Sequence, residues 1–132
     1  MQTKGISIKL LIVFASSLVL TCLNNAFAQN NQMVRLARLV IDSAQLENYK
    51  LMLKEEIETS TRVELGVKTL YAVFEKENPT HITILEIYAD SAAYKLHVQT
   101  PHFIKYKTGT KDMVKSLELV AATALVPDMK IK

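Results

Sequence analysis

Cysteine, glycine, proline and tryptophan are scarce in this chain of 132 residues, which has one Cys, three Gly, three Pro and no Trp. The single cysteine, Cys22, lies in an apolar leader, so the rest of the chain forms no internal disulfide and has no thiol nucleophile. Beyond that leader the only glycines are Gly66 and Gly109, which excludes a glycine-rich phosphate loop. Nucleophile-elbow and metalloprotease motifs are also missing from the sequence.

Concentrated positive charge is missing as well. The formal net charge is +3, and from residue 29 onward 14 Lys and Arg are balanced by 13 Asp and Glu. Because charges of both signs are interspersed, nucleic acid is excluded as the main partner. The densest basic run is typical of a solvated helix face and comprises Lys105, Lys107, Lys111 and Lys115.

Residues 1–28 have the pattern of a secretory signal peptide. Lys4 and Lys9 precede an apolar run of about 11 residues, and Ala26-Phe27-Ala28 is a small-x-small cleavage signal. The run is shorter than the roughly 20 residues of a membrane-spanning helix. We therefore expect no stable membrane span, export to the periplasm or the medium, and one mature domain at residues 29–132. Lipidation of Cys22 is the alternative, although the preceding Thr21 matches that signal poorly.

The pattern after the leader predicts an α+β domain with its core at residues 33–126. Apolar runs predict four strands, at residues 33–41, 67–75, 81–88 and 116–126. Capped segments predict three helices, from a capping box at Asp42 and Gln45 to about 61, from Asp90 or Ser91 to about 99, and from Thr100 to about 114. This βαββαβ order is typical of a ferredoxin-like fold, with one antiparallel sheet and helices on one face.

The predicted strands are apolar on both faces. For the second strand, Val67, Tyr71 and Val73 are expected on one face, and the opposite face carries Leu70, Ala72 and Phe74. A sheet that is wet on one side alternates apolar with polar residues. Because the helices cover only one face, we predict that a second copy of the chain covers the other, giving a homodimeric α+β barrel.

Glu86, His97 and His102 stand out as groups that can exchange protons. Glu86 falls on the apolar face of the third strand, so it needs an ion-pair partner such as Arg35 or Arg38, or it lines a cavity. His97 lies in a short helix, and histidine is the most common general base because it titrates near neutral pH. His102 lies in the first turn of the next helix, which favours a neutral ring.

Each of these side chains also has a non-catalytic interpretation. Glu86 could form a structural ion pair or a hydrogen bond at the subunit interface, His97 could be structural, and His102 could be an exposed or capping residue. Two histidines and a glutamate could also bind a metal such as zinc or ferrous iron. That pattern is weak here, because Pro101 separates the two histidines and no single helical face presents both.

The segment from residue 86 to 106 resembles a known family. The motifs are Glu86-Ile87-Tyr88-Ala89-Asp90, then Ala92-Ala93-Tyr94, His97 and Thr100-Pro101-His102-Phe103. They are similar to the signature of the antibiotic-biosynthesis-monooxygenase-like domain, a family that includes small quinol monooxygenases. Gly66 and the turn at 77–79 support the resemblance, which covers residues 33–126.

The resemblance implies a dimeric ferredoxin-like barrel and the oxidation of a small aromatic phenol- or quinol-type compound by O2, without metal, flavin or haem. It implies that His97 is the base or the hydrogen-bond partner of the substrate oxygen, that Glu86 orients it or holds the interface, and that His102 is a further catalytic candidate. The first strand has no Asn and the chain has no Trp, which disfavours haem degradation. The export signal also departs from the mostly cytoplasmic relatives. A non-oxidative isomerase and a periplasmic binding module for an apolar small molecule are the alternatives.

Overall fold

A computed structural model describes residues 31–126, which form one antiparallel sheet with helices on one face. The strands are β1 (Met33–Ile41), β2 (Val67–Phe74), β3 (His81–Tyr88) and β4 (Val114–Ala122). The helices are α1 (Leu46–Val63), α2 (Ser91–His97) and α3 (Pro101–Thr110), with a 3-10 turn at Ser43–Gln45 before α1. The predicted ferredoxin-like βαββαβ order is confirmed. The leader predicted at residues 1–28 lies outside the described residues.

Local sequence signals begin the two short helices. Asp90 Oδ1 accepts a hydrogen bond from the Ala93 N–H at 2.7 Å, and Thr100 Oγ1 accepts one from the Phe103 N–H at 3.3 Å. The predicted capping box at Asp42 is wrong, because Asp42 caps the 3-10 turn through the Ala44 N–H and Gln45 makes no side-chain cap. In residues 31–126, no helix is long and apolar enough to span a membrane.

The strand order is β2-β3-β1-β4, which puts the first strand in the middle of the sheet. Its register with β3 places Arg35 opposite Glu86, and its register with β4 places Leu39 opposite Leu117. The core between the sheet and the helices contains Ala37, Leu39, Ile41, Tyr49, Leu53, Ile82 and Ile84. Because β1 is central in the sheet, its helix-facing side chains lie on the sheet side of this core.

Four predicted boundaries are wrong by a few residues. Helix α1 continues to Val63, α3 ends at Thr110, and β4 begins at Val114 and ends at Ala122. The end of α3 is fixed by a turn in which the Met113 N–H donates to the Thr110 carbonyl at 2.9 Å. The Met113 carbonyl then accepts from the Asp42 N–H at 2.8 Å, so β4 starts beside the end of β1.

The prediction for Val67 is also wrong, because this side chain faces the helices. The pairing of β2 with β3 shifts register between Val67 and Thr69, so one extra residue reverses the alternation of side chains. Val67 is consequently buried with Leu70 and Tyr88.

The sheet face away from the helices is apolar, as the sequence predicts. The register places Leu36 beside Leu85 and Tyr71 beside Leu85 on this face. Tyr71 is 61% exposed and Val73 is 47% exposed. A covering partner for this face stays a prediction.

Candidate active site

A cavity of about 540 Å³ lies between the sheet and the helices. This volume is within the range of small-molecule sites. Much of its lining is apolar and includes Leu39, Leu53, Ile84, Phe103, Leu117 and Leu119. Polar groups gather at the end near Arg35, where Glu86, Tyr88, His97 and Glu56 also line the cavity. An apolar cleft with a few polar groups at one end can bind and orient an organic molecule.

Glu86 forms an ion pair inside the cavity wall. Its Oε2 accepts from Arg35 Nη2 at 2.6 Å, from Arg35 Nε at 2.9 Å, and from the Tyr88 hydroxyl at 3.1 Å. Burial alone would lower the pKa of Arg35, but its contacts with Tyr94 and Glu86 outweigh burial and raise that pKa. Burial, together with the Glu86 charge, raises the pKa of Tyr88, so its hydroxyl stays protonated and donates.

His97 is held in place by a carboxylate from outside the cavity. Its ring is 2% exposed and packs between Tyr88, at a centroid distance of 5.3 Å, and Phe103, at 4.8 Å. His97 Nδ1 lies 3.0 Å from Glu64 Oε1 and 3.2 Å from Glu64 Oε2. Because Glu64 follows the last residue of α1, it connects the end of that helix to α2.

His102 binds the same carboxylate. Its Nε2 lies 2.5 Å from Glu64 Oε1, the oxygen that also contacts His97. Burial acts to raise the pKa of Glu64, but the hydrogen bonds from His102 and His97 outweigh it and hold that pKa below its ordinary value. An ionised Glu64 only accepts, so each histidine donates the N–H that faces it, and in the neutral form of the ring the other nitrogen carries the lone pair. For His97 that lone pair is on Nε2.

Glu56 is the nearest acidic group to His97 Nε2. Its Oε1 is 3.7 Å from that nitrogen and accepts from the Ser60 hydroxyl at 2.7 Å. Burial raises the pKa of Glu56, because the ionised form is poorly solvated there. The polar end of the cavity thus pairs a basic imidazole nitrogen with a carboxyl group that holds its proton more tightly than usual.

Two tyrosine hydroxyls close the wall on the α1 and α3 side. Tyr49 Oη and Tyr106 Oη are 2.6 Å apart, and Tyr106 lines the cavity. Burial raises the pKa of Tyr49 to about 12 and raises that of Tyr106 as well. At neutral pH both hydroxyls therefore keep their protons, and one donates to the other.

One group of residues in the described part of the chain could hold a metal ion. Glu56, His97 and His102 each offer a ligand atom, and these three atoms lie within 4.8 Å of one another. Two histidines and a carboxylate suit zinc or ferrous iron. The histidines come from α2 and α3 and meet at Glu64, in agreement with the expectation that no single helix presents both.

The three site residues predicted from the sequence lie in two connected clusters of side chains. Glu86 pairs with Arg35, one of the two partners considered, while Arg38 pairs with Glu118 at the surface. His97 and His102 meet at Glu64 and, together with Glu56, form what we call the His–Glu cluster. Tyr88 joins the two clusters, because it donates to Glu86 and its ring contacts that of His97 at a tilt of 46°.

Sequence reasoning missed Glu56 and Glu64. Glu56 follows Tyr49 and Leu53 on the buried side of α1, at spacings of seven and three residues, and Ser60 is next on that side. A carboxylate at a buried helical spacing is a detectable signal. Glu64 gives no such signal, because it lies beyond the helix and meets the histidines only in the folded chain.

Comparisons with known proteins agree with this fold. The sequence profile of the family described as antibiotic biosynthesis monooxygenase matches residues 33–109. A candidate antibiotic biosynthesis monooxygenase from Bacteroides thetaiotaomicron, solved by crystallography, is 64% identical over 77% of this chain and 97% of that chain, with a TM-score of 0.76. No curated protein matches.

Two further solved structures are less similar. A candidate monooxygenase from Lactobacillus acidophilus is 33% identical over 71% of this chain and 45% of that chain, with a TM-score of 0.68. A candidate antibiotic biosynthesis monooxygenase from Nitrosomonas europaea is 20% identical over 75% of this chain and 95% of that chain, with a TM-score of 0.69, and shows the fold alone. The profile match and the 64% identity together show that this chain belongs to the antibiotic biosynthesis monooxygenase family.

Proposed function

We propose that the protein is a monooxygenase that oxidises a small aromatic phenol- or quinol-type compound with O2, with His97 as the base and no metal or organic cofactor. The observation that carries the proposal is the state of the His97 ring. Glu64 occupies Nδ1, no hydrogen bond within residues 31–126 reaches Nε2, and the residue lines a largely apolar cavity. A fixed imidazole with a free lone pair beside an organic substrate is the arrangement a general base needs.

The reaction begins when His97 Nε2 takes the proton of a substrate hydroxyl. The resulting aryloxide is electron-rich and transfers one electron to O2, and the radical pair combines to a C–O bond. The imidazolium returns its proton to the peroxide, and loss of water, with the hydrogen of the oxygenated carbon leaving as a proton, gives the quinone. One phenol and one O2 thus give one quinone and one water.

Other residues of the two clusters have supporting roles. The Arg35–Glu86 pair presents fixed charges near the ring of His97, and the Tyr88 hydroxyl, whose proton goes to Glu86, keeps lone pairs that can accept from the bound hydroxyl group, so together they orient it. Glu64 fixes the tautomer of His97 and stabilises the imidazolium that forms. His102 acts through Glu64, because its contact is with that carboxylate and it does not line the cavity.

We place the protein outside the cytoplasm as a homodimer. The leader pattern at residues 1–28 supports export, and the apolar sheet face with exposed Tyr71 and Val73 supports pairing of two sheets. Light scattering of the mature domain at micromolar concentration tests the dimer, and monomer alone would contradict it.

Oxygen uptake tests the activity. Mature protein treated with EDTA should consume O2 with members of a panel of hydroquinones and naphthols, one O2 for each quinone formed. His97→Ala should lower the rate by about 100- to 10,000-fold, the usual effect of losing a general base. His81→Ala is the matched control, because His81 is exposed and contacts only Glu75 among the acidic groups of the described residues. Lack of oxygen uptake with every compound would contradict the proposal.

A non-oxidative isomerase is the second candidate, favoured by the 3.7 Å separation of Glu56 and His97 Nε2. A base beside a carboxyl group with a raised pKa can move a proton between two positions of one substrate. Product analysis without oxygen separates the candidates, because only an isomerase turns over under those conditions. Recovery of an intact ligand that is never converted would instead favour a binding module.

A further inference from the structure

The cavity has two distinct ends, and two elements of the fold run from one end to the other. Along its floor, β1 runs from Arg35 at the polar end to Leu39, about 13 Å away at the usual rise of a strand. Along its wall, the chain runs through α3 from Phe103, which packs on His97, to the C-cap residue Lys111, about 12 Å away at the usual rise of a helix. Both elements end at the same place, because the Met113 carbonyl bonds the Asp42 N–H just past β1.

Lysines line the end of the cavity far from His97. Lys107 is one turn beyond Phe103 on α3, Lys111 is the C-cap residue of that helix about two turns beyond Phe103, and Lys115 comes from the start of β4. Lys115 pairs with Asp42 at 3.3 Å. Within residues 31–126, no carboxylate makes an ion pair with Lys107 or Lys111, so these two ammonium groups are available to a ligand.

The charges at the two ends of the cavity determine the orientation in which an anionic ligand would bind. Among the described residues that line the polar end, the only guanidinium is that of Arg35, and Glu86 already binds it through two nitrogens. The carboxyl group of Glu56 lies there too. A ligand anion at this end would face two carboxyl groups. At the other end the Asp42 carboxylate is paired with Lys115, and Lys107 and Lys111 are left to face the anion.

We propose that the substrate is an elongated hydroxylated aromatic acid, bound with its hydroxyl at His97 and its carboxylate or other anionic group at Lys107 and Lys111. This inference rests on the proposed function, because it names the substrate class of that same cavity. The apolar middle, formed by Leu39, Leu117 and Leu119 among others, takes the ring system. The lysine run is typical of a solvated helix face in the sequence, but two of its four members, Lys107 and Lys111, would thereby select the substrate.

A binding measurement tests this without requiring turnover. The probes are 6-hydroxy-2-naphthoate and 2-naphthol, which share a hydroxylated two-ring body and differ in the carboxylate. By titration calorimetry at low salt, the naphthoate should bind about three- to tenfold tighter, as expected for ion pairs at an exposed mouth. At 0.5 M NaCl this preference should shrink, because salt screens exposed charges.

Two variants locate the effect. Lys107→Gln with Lys111→Gln should abolish the preference for the naphthoate while 2-naphthol still binds, which also shows that the cavity is intact. Lys105→Gln is the matched control, since Lys105 lies on the same helix but pairs with Glu55 and does not line the cavity. It should keep the wild-type preference.

Three results would overturn the inference: equal affinities in the wild type, a preference that survives the double substitution, or binding of neither probe. Each leaves the oxygenase proposal standing if oxygen uptake with uncharged quinols is observed. Absence of oxygen uptake combined with selective naphthoate binding would refute the oxygenase and keep the assigned anion end.

Discussion

Removal of one partner of the Arg35–Glu86 pair should destabilise the fold strongly. The two side chains are 13% and 9% exposed, and Glu86 accepts two hydrogen bonds from the guanidinium. At an effective dielectric constant of about 20, unit charges about 4 Å apart attract by about 4 kcal/mol. Glu86→Leu removes this attraction and leaves Arg35 buried over the Tyr94 ring, 4.5 Å from its centroid, without its carboxylate.

We expect Glu86→Leu to lower the free energy of unfolding by about 3 kcal/mol, the lower end for broken buried pairs because the site opens on a cavity. For a domain of this size that is a fall of about 15 °C in Tm. Arg35→Met should cost a similar amount. The double variant should be more stable than the sum of the two losses predicts, since it leaves no uncompensated charge.

Urea unfolding followed by circular dichroism at pH 7 measures these energies, at one protein concentration because a dimer's stability depends on it. Glu58→Ala is the control, since Glu58 forms an exposed i,i+4 pair with Lys54 and should cost at most about 0.5 kcal/mol. Additive losses in the double variant would refute the reasoning, because they would mean that the two charges do not stabilise each other.

Three further predictions concern other parts of the fold. Glu56→Gln should stabilise the protein more at pH 8 than at pH 4, as measured by urea unfolding. The pKa of Glu56 is raised in the folded state, so this residue lowers the stability once the pH rises above its pKa in the unfolded chain. An equal effect at both pH values would contradict this prediction. Gly66→Ala should lower the free energy of unfolding by about 1–3 kcal/mol, because the added Cβ would lie 2.6 Å from Ala93 Cβ. Gly109→Ala should be nearly neutral in the same assay, because the Cβ added there meets only the flexible end of the Met52 side chain. Leu85→Lys should give a folded monomer by light scattering, because it charges the centre of the apolar sheet face, and a persistent dimer would show that another surface pairs.

Much of the fold follows from local sequence signals. The first and third strands have their predicted bounds, and Asp90 and Thr100 cap helices as expected, because alternation and capping depend on near neighbours. The prediction of the sheet face on which Val67 lies was wrong, and the reason is nonlocal. The register shift beside it depends on how β2 meets β3, which no residue type in the strand encodes.

The candidate site was predicted only in part. The ion-pair partner of Glu86 could be limited to two arginines, since a carboxylate on an apolar face requires one, and the register then selects Arg35. The joint contact of His97 and His102 with Glu64 could not be predicted, because it depends on where α1 ends relative to α2 and α3. The lysine-lined end of the cavity could not be predicted for a similar reason. Its prediction requires knowledge of which side of α3 faces the sheet.

The central place of β1 has a consequence for how the chain folds. Its partners arrive late, since Arg35 pairs with a residue 51 positions later and Arg38 with one 80 positions later. Neither edge of this first strand is satisfied by nearby chain, so the sheet closes only when nearly the whole domain is available. Such nonlocal pairing slows folding relative to helical proteins of equal length. A chain ending before β4 would leave β1 with an open edge and the cavity without the wall formed by Leu117 and Leu119.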